Sequence, residues 1–232
     1  MSRNEKRRQK KLQVRKKKRS EKKQTITRIH SSGVSARMKV AGSWKIIDAR
    51  ITAGLWDEGI GYASLARRGP SGIVAGVVPL VDVYCLGLKD TVLFFDCESD
   101  WFELMSKLER SGQSWATVLP EHVRKVVDGA VAYARAHGIE PHRDFAGVTT
   151  LFGDIDASQC LTEFTYGMDG RPYFIPGPHD SPVRVSQVME ALSNSAGPDN
   201  FNFTTPVSAG DLDDESDESA RPIFAGGIGH IL

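Results

Sequence analysis

The chain has 232 residues, 40% of them hydrophobic, with 30 Lys and Arg against 29 Asp and Glu for a formal net charge of +1. That length accommodates one ordinary domain plus tails. Cys85, Cys97 and Cys160 are odd in number and hold no C-x-x-C pair, which argues against a disulfide scaffold or zinc ribbon and for a reducing cytoplasm. No apolar run reaches the ~18 residues of a membrane span.

The near-neutral total conceals three blocks. Residues 1–30 contain fourteen basic side chains against Glu5 and Glu21, residues 31–195 fifteen against twenty acids, and residues 196–232 Arg221 against seven acids. Arg3, Lys6, Arg7, Arg8, Lys10, Lys11, Arg15, Lys16, Lys17, Lys18, Arg19, Lys22, Lys23 and Arg28 repel one another. Leu12, Val14, Ile26 and Ile29 are too few to offset that repulsion. Residues 1–43 are therefore expected to form a disordered basic arm, with the small-residue stretch 31–43 as its linker. Such an arm seeks a polyanion, each Lys or Arg releasing a counterion condensed on a phosphate backbone. It lacks the apolar stretch of a secretory signal.

The folded part is expected from Trp44. Trp44–Thr52 reads as a strand, with Ile46, Ala49 and Ile51 among polar neighbours. In Ile60–Arg67, Tyr62, Ser64 and Ala66 alternate with Ala63 and Leu65, a strand with two faces. Arg68-Gly69-Pro70-Ser71-Gly72 signals a turn on which Arg67 and Arg68 would be solvated. The apolar run Ile73–Leu88 reads as the partner strand of a hairpin, with Pro79 marking an edge or a bulge. Asp82, and Lys89-Asp90 at the end of the run, fit the solvent side of an edge strand. Thr91–Phe95 adds a fourth strand.

Residues 98–110 read as a helix capped by Ser99, with Phe102, Met105 and Leu108 along one face. Pro120–His137 has the clearest helical stripe: Val123, Val126, Val127, Ala130, Val131 and Ala134. Residues 141–163 show no period. A second hairpin is expected from Glu163–Tyr166 and Arg171–Ile175 around Gly167-Met168-Asp169-Gly170. Ser181 as cap and Pro182 at the first position open a further helix, with Val185, Val188, Met189 and Leu192 on its apolar face. Residues 194–232 read as a disordered acidic tail, six acids in the eight residues 211–218, ending in an apolar tip at 221–232. These elements predict an α+β domain over residues 44–193, an antiparallel sheet of four to six strands packed against two or three helices.

The blocks VDVYCLGLKD (81–90), LFGDID (151–156) and PGPHDSPVR (176–184) resemble those of an uncharacterised family of bacterial proteins. The resemblance spans roughly residues 44–193. It implies a bacterial, cytoplasmic protein whose folded part is one unit, and it assigns no catalytic role.

The leading expectation is a non-enzymatic nucleic-acid-associated protein that needs no cofactor. It would bind RNA or a ribonucleoprotein through Arg3–Arg28, with DNA as the alternative polyanion and the tip at 221–232 as a contact for a protein partner. The runner-up is a metal-dependent nuclease or phosphoester hydrolase. In it His142, Asp154, Asp156 and His179, with Asp144, Glu163 and Asp180 nearby, would hold Mg²⁺ or Mn²⁺. Against that, Asp154 and Asp156 after Gly153 suit turn capping. Cys85, in an apolar run, suits a small buried hydrophobe better than a nucleophile. The PGP turn and the helix start at Ser181 could present N–H groups to a phosphate. The acidic stretch 211–218 competes with nucleic acid for the arm in this reading. Deleting it is expected to tighten RNA binding at low salt, measured by fluorescence anisotropy, and an unchanged affinity would exclude the competition.

Overall fold

The computed structural model describes residues 33–178 and 180–204. The expected binding residues Arg3–Arg28, His179, the acidic stretch 211–218 and the tip 221–232 lie outside the described residues. The core is α+β. Strands β1 (Lys45–Thr52), β2 (Ile60–Arg68), β3 (Ile73–Asp82), β4 (Gly87–Cys97) and β5 (Trp115–Thr117) form one sheet in the order β4-β3-β2-β1-β5, every neighbouring pair antiparallel. Helices α1 (Val34–Ala41), α2 (Leu55–Glu58), α3 (Glu98–Arg110), α4 (Pro120–Ala136), α5 (Phe145–Phe152) and α6 (Pro182–Ala196) surround it.

The sheet is covered on both faces, which follows from β2. Ala63 and Leu65 enter the larger core with α1, α4 and α5, whereas Tyr62 and Ala66 face α3. The expected stripe of α4 is buried residue for residue. In α3 the buried face is Trp101, Leu104, Met105 and Leu108, while Phe102 is exposed and Ser99 lies inside the helix rather than at its cap. Gly76 explains the rotation. A Cβ there would lie 2.3 Å from the Trp101 ring, so only glycine lets the indole come this close to β3. The indole N–H then donates to the buried Asp48 carboxylate at 3.2 Å. A bulge at Ile47 aims Asp48 that way, and the three-residue spacing of Ile46 and Ala49 on one face requires it.

The run Ile73–Leu88 is not one strand. β3 stops at Asp82, whose Oδ1 accepts the N–H groups of Tyr84 (2.9 Å) and Cys85 (2.8 Å) and so turns the chain into β4. Asp82 is thus buried in a turn rather than solvated on an edge strand. Val83, Cys85 and Leu86 of the turn are buried too, which is why their composition resembles a strand. Their backbone groups find partners. Val83 N–H donates to Gly59 O, and Val83 O and Tyr84 O accept from Gly167 and Tyr173. Pro79 sits on the interior strand β3, opposite Thr91, and the β3–β4 register shifts just beyond it, leaving Lys89 as the extra residue of a bulge.

Other boundaries also differ from expectation. The linker 31–43 contains α1, whose Met38 and Ala41 are fully buried. Order continues past residue 193 through the end of α6 to β7 (Asn202–Phe203), which pairs in parallel with β6 (Tyr173–Phe174). The turn expected at 167–170 forms, closed by a Met168–Arg171 bridge, but its flanks do not pair. Phe164 instead stacks on Trp56 at 5.1 Å, and Tyr173 bonds to Tyr84. The aperiodic stretch 141–163 contains α5.

Arg67 is 2% exposed, not solvated. Its guanidinium donates to the carbonyls of Leu151 (3.0 Å) and Phe152 (2.7 Å) at the end of α5, to Trp44 O (2.8 Å) and to Asp154 Oδ1 (3.1 Å). Cationic donors on helix C-terminal carbonyls are favourable, and removing one partner of a buried charged network costs about 3 kcal/mol. Arg67→Met is therefore expected to lower Tm by about 10 °C. Asp154→Ala should shift it little, because that carboxylate is 85% exposed. Equal losses in calorimetry would place the stabilisation in the ion pair rather than in the helix cap.

Candidate functional site

The β3–β4 end of the sheet carries a groove of about 340 Å³ lined by Leu86, Leu88, Lys89, Glu140, Pro141, His142, Asp180 and Arg184. Three segments build it. The bulge directs Lys89 out of the β-ladder, as bulges re-aim side chains. The connector between α4 and α5 is docked by His142 N–H on Leu88 O at 3.0 Å and anchored by buried Ile139. The turn before α6 is closed by Gly177 N–H donating to Asp180 Oδ2 at 2.7 Å. Ser181 Oγ then accepts from Arg184 N–H at 3.2 Å with Pro182 in the first turn, as the sequence predicts.

Beneath the groove lies the buried Asp82. Burial pushes its carboxyl up to about 6, partly opposed by the Lys89 ammonium and the backbone N–H groups of the turn. Cys85 is fully buried beside it. Burial, reinforced by the Asp82 charge, raises its thiol so far that no thiolate forms near neutral pH. Cys85 is therefore a core residue here. The phenol of Tyr133 is likewise pushed up to about 12 by burial.

The expected metal ligands do not converge. His142 precedes α5 and is tied to Leu88. Asp154 follows α5 and is tied to Arg67, which lies level with Ala75 and Phe95. Leu88 and Phe95 are seven residues apart on β4, so His142 and Asp154 are held about 20 Å apart, towards opposite ends of the sheet. Asp156 caps the short 3₁₀ turn Ala157–Gln159, accepting from Ser158 N–H (2.9 Å) and the Gln159 amide (3.2 Å); the Ser158 hydroxyl first, then these two donors, hold its carboxyl below the usual range. Glu163 pairs with Lys125 at 2.7 Å. Among the described residues the group of three ligand atoms close enough to share one ion is Asp96, Cys97 and Asp100, all exposed.

Lys89 and Arg184 are the groove residues that the sequence reading leaves out as site residues. Lys89-Asp90 at a strand end and Arg184 within PGPHDSPVR are the available signals, but nothing in the linear pattern places them together. Among the described residues no helix is long and apolar enough to cross a membrane. No protein-family model, curated protein or solved structure matches the chain.

An unfolded Asp titrates near 4, so the neutral buried form of Asp82 contributes stability that is complete below about pH 4 and lost as the pH rises through about 6. Asp82→Asn keeps an oxygen for the two backbone donors and cannot ionise. Urea unfolding of this variant is expected to show a flatter stability profile than wild type between about pH 4 and 7. Parallel profiles would mean that Asp82 ionises as freely in the fold as outside it.

Proposed function

We propose that the protein is nucleic-acid-associated, binding RNA or a ribonucleoprotein through the basic residues Arg3–Arg28. The observation that carries this reading is charge segregation. Fourteen Lys and Arg crowd into residues 1–30, whereas residues 33–204 hold fifteen against twenty-one acids. Seven of those fifteen are already engaged: Arg50, Arg67, Arg68, Lys107, Arg124, Lys125 and Arg135 each pair with a carboxylate. A net-acidic body with half its cations neutralised repels a phosphate backbone, so affinity must come from the N-terminal segment.

In this reading the contact is with phosphates and reads little sequence. The body is held near the nucleic acid rather than wrapped by it, and the apolar residues at 221–232 supply a second contact, with protein. The cytoplasm, where thiols stay reduced and RNA is abundant, suits three free cysteines.

Salt titration of RNA binding tests the proposal. With about half of the fourteen cations engaged, the slope of log K against log salt for single-stranded RNA is expected near −5. A chain beginning at Ser31 should lose the binding and the slope together. Retention of both by that shortened chain would overturn the reading.

A further inference from the structure

The groove has its acceptors engaged and its donors open. Of its two carboxylates, Glu140 is paired with Arg135 at 3.2 Å and Asp180 is held by the N–H of Gly177. The donors differ. Neither Lys89 nor Arg184 makes an ion pair within 4.0 Å among the described residues, and neither side chain donates a hydrogen bond there. Lys89 Nζ reaches the turn before α6, since a Cβ on Gly177 would stand 3.4 Å from it. His142 supplies a third donor. Its Nδ1 accepts from Asp144 N–H at 3.3 Å, with the Asp144 carboxylate 3.8 Å away, which leaves Nε2 as the ring nitrogen open to a ligand; Nε2 is 4.0 Å from Asp90, beyond hydrogen-bond reach.

These donors come from three separate elements: a bulge, a connector and the first turn of a 15-residue helix. All three border one cavity whose remaining lining is Leu86, Leu88 and Pro141 together with the two carboxylates, Glu140 and Asp180. With Glu140 and Asp180 already bonded, the two cations, an imidazole N–H and the positive end of the α6 dipole offer more open donors than a monoanion would use, and suit a dianion. The volume lies in the range of small-molecule sites, and the apolar lining suits a compact organic body next to the charged group.

We propose that this groove binds the phosphate group of a small phosphate monoester, with Lys89 and Arg184 as the charged contacts and His142 Nε2 as a further donor. The site is independent of the basic N-terminal residues and stands whether or not those residues bind RNA.

The full chain, isotope-labelled, is titrated with inorganic phosphate, ribose 5-phosphate and acetate at constant ionic strength while backbone amide shifts are followed. Residue-resolved shifts separate the groove from phosphate held by residues 3–28. Saturable shifts at Lys89, Gly177 and Arg184 are expected with both phosphates, tighter for the sugar phosphate and absent with acetate. Lys89→Met and Arg184→Met, at positions that are not core, should each weaken binding about tenfold, whereas Arg171→Met, an exposed arginine elsewhere, should not. Equal shifts with acetate, no saturation at these amides, or unchanged affinity in both groove variants would overturn the proposal. Equal affinity for the two phosphates would overturn its assignment of an organic body to the groove.

Discussion

A buried guanidinium pins one end of the sheet to the helix that covers it. Arg67 leaves β2 on the face covered by α5, and its planar donors meet two carbonyls at the end of that helix and one at the start of β1. A cation buried this deeply is tolerated only when its donors are matched, and carbonyls at a helix C-terminus carry the partial negative charge that matches them. The other end of α5 is fixed by His142 N–H on Leu88 O. The helix is therefore a strut clamped at both ends along the sheet. One clamp is purely structural. The other forms a wall of the groove.

The groove itself is a consequence of two irregularities in the β3–β4 hairpin. Asp82 ends β3 by collecting two backbone N–H groups, and the bulge at Lys89 re-aims one side chain out of the ladder. A regular hairpin would have put Lys89 on one of the two covered sheet faces, where an unmatched ammonium is costly. The bulge moves that charge to the rim. The same turn buries Asp82 and Cys85, which raises the carboxyl of the acid and keeps the thiol from ionising. Cys85 is thus no nucleophile at this end of the molecule, and the groups left open there are cationic donors.

Two kinds of phosphate contact are proposed, and they differ physically. A run of cations with little apolar content recognises a polymer by total charge and loses affinity steeply with salt. A groove with two cations, one oriented N–H and an apolar floor recognises a single group by geometry. Its contacts are shorter in range and less screened.

Much of the fold was legible in the sequence wherever a period was clean. The alternation in 60–67 and the stripe of α4 fixed which faces are buried, because one periodicity was available and both faces needed covering. The α+β class and the cap at Ser181 followed from the same local rules. Legibility failed where burial and conformation parted company. The turn 83–86 is apolar because α6 and the segment around Gly167–Phe174 cover it, so it looked like more strand. Arg67 looked like a solvated turn residue because only the folded chain brings the end of α5 to it. The same limit applies to the site. His142, Asp154 and Asp156 are close in sequence, yet an intervening helix holds His142 apart from the two aspartates. Lys89, His142 and Arg184 are scattered over nearly a hundred residues, yet they border one cavity. The sequence alone determined the charge segregation and the strand–helix grammar, since both are local properties of the chain. Which polar groups end up matched and which are left open was decided by tertiary structure, because desolvation and hydrogen-bond pairing depend on neighbours that only folding supplies.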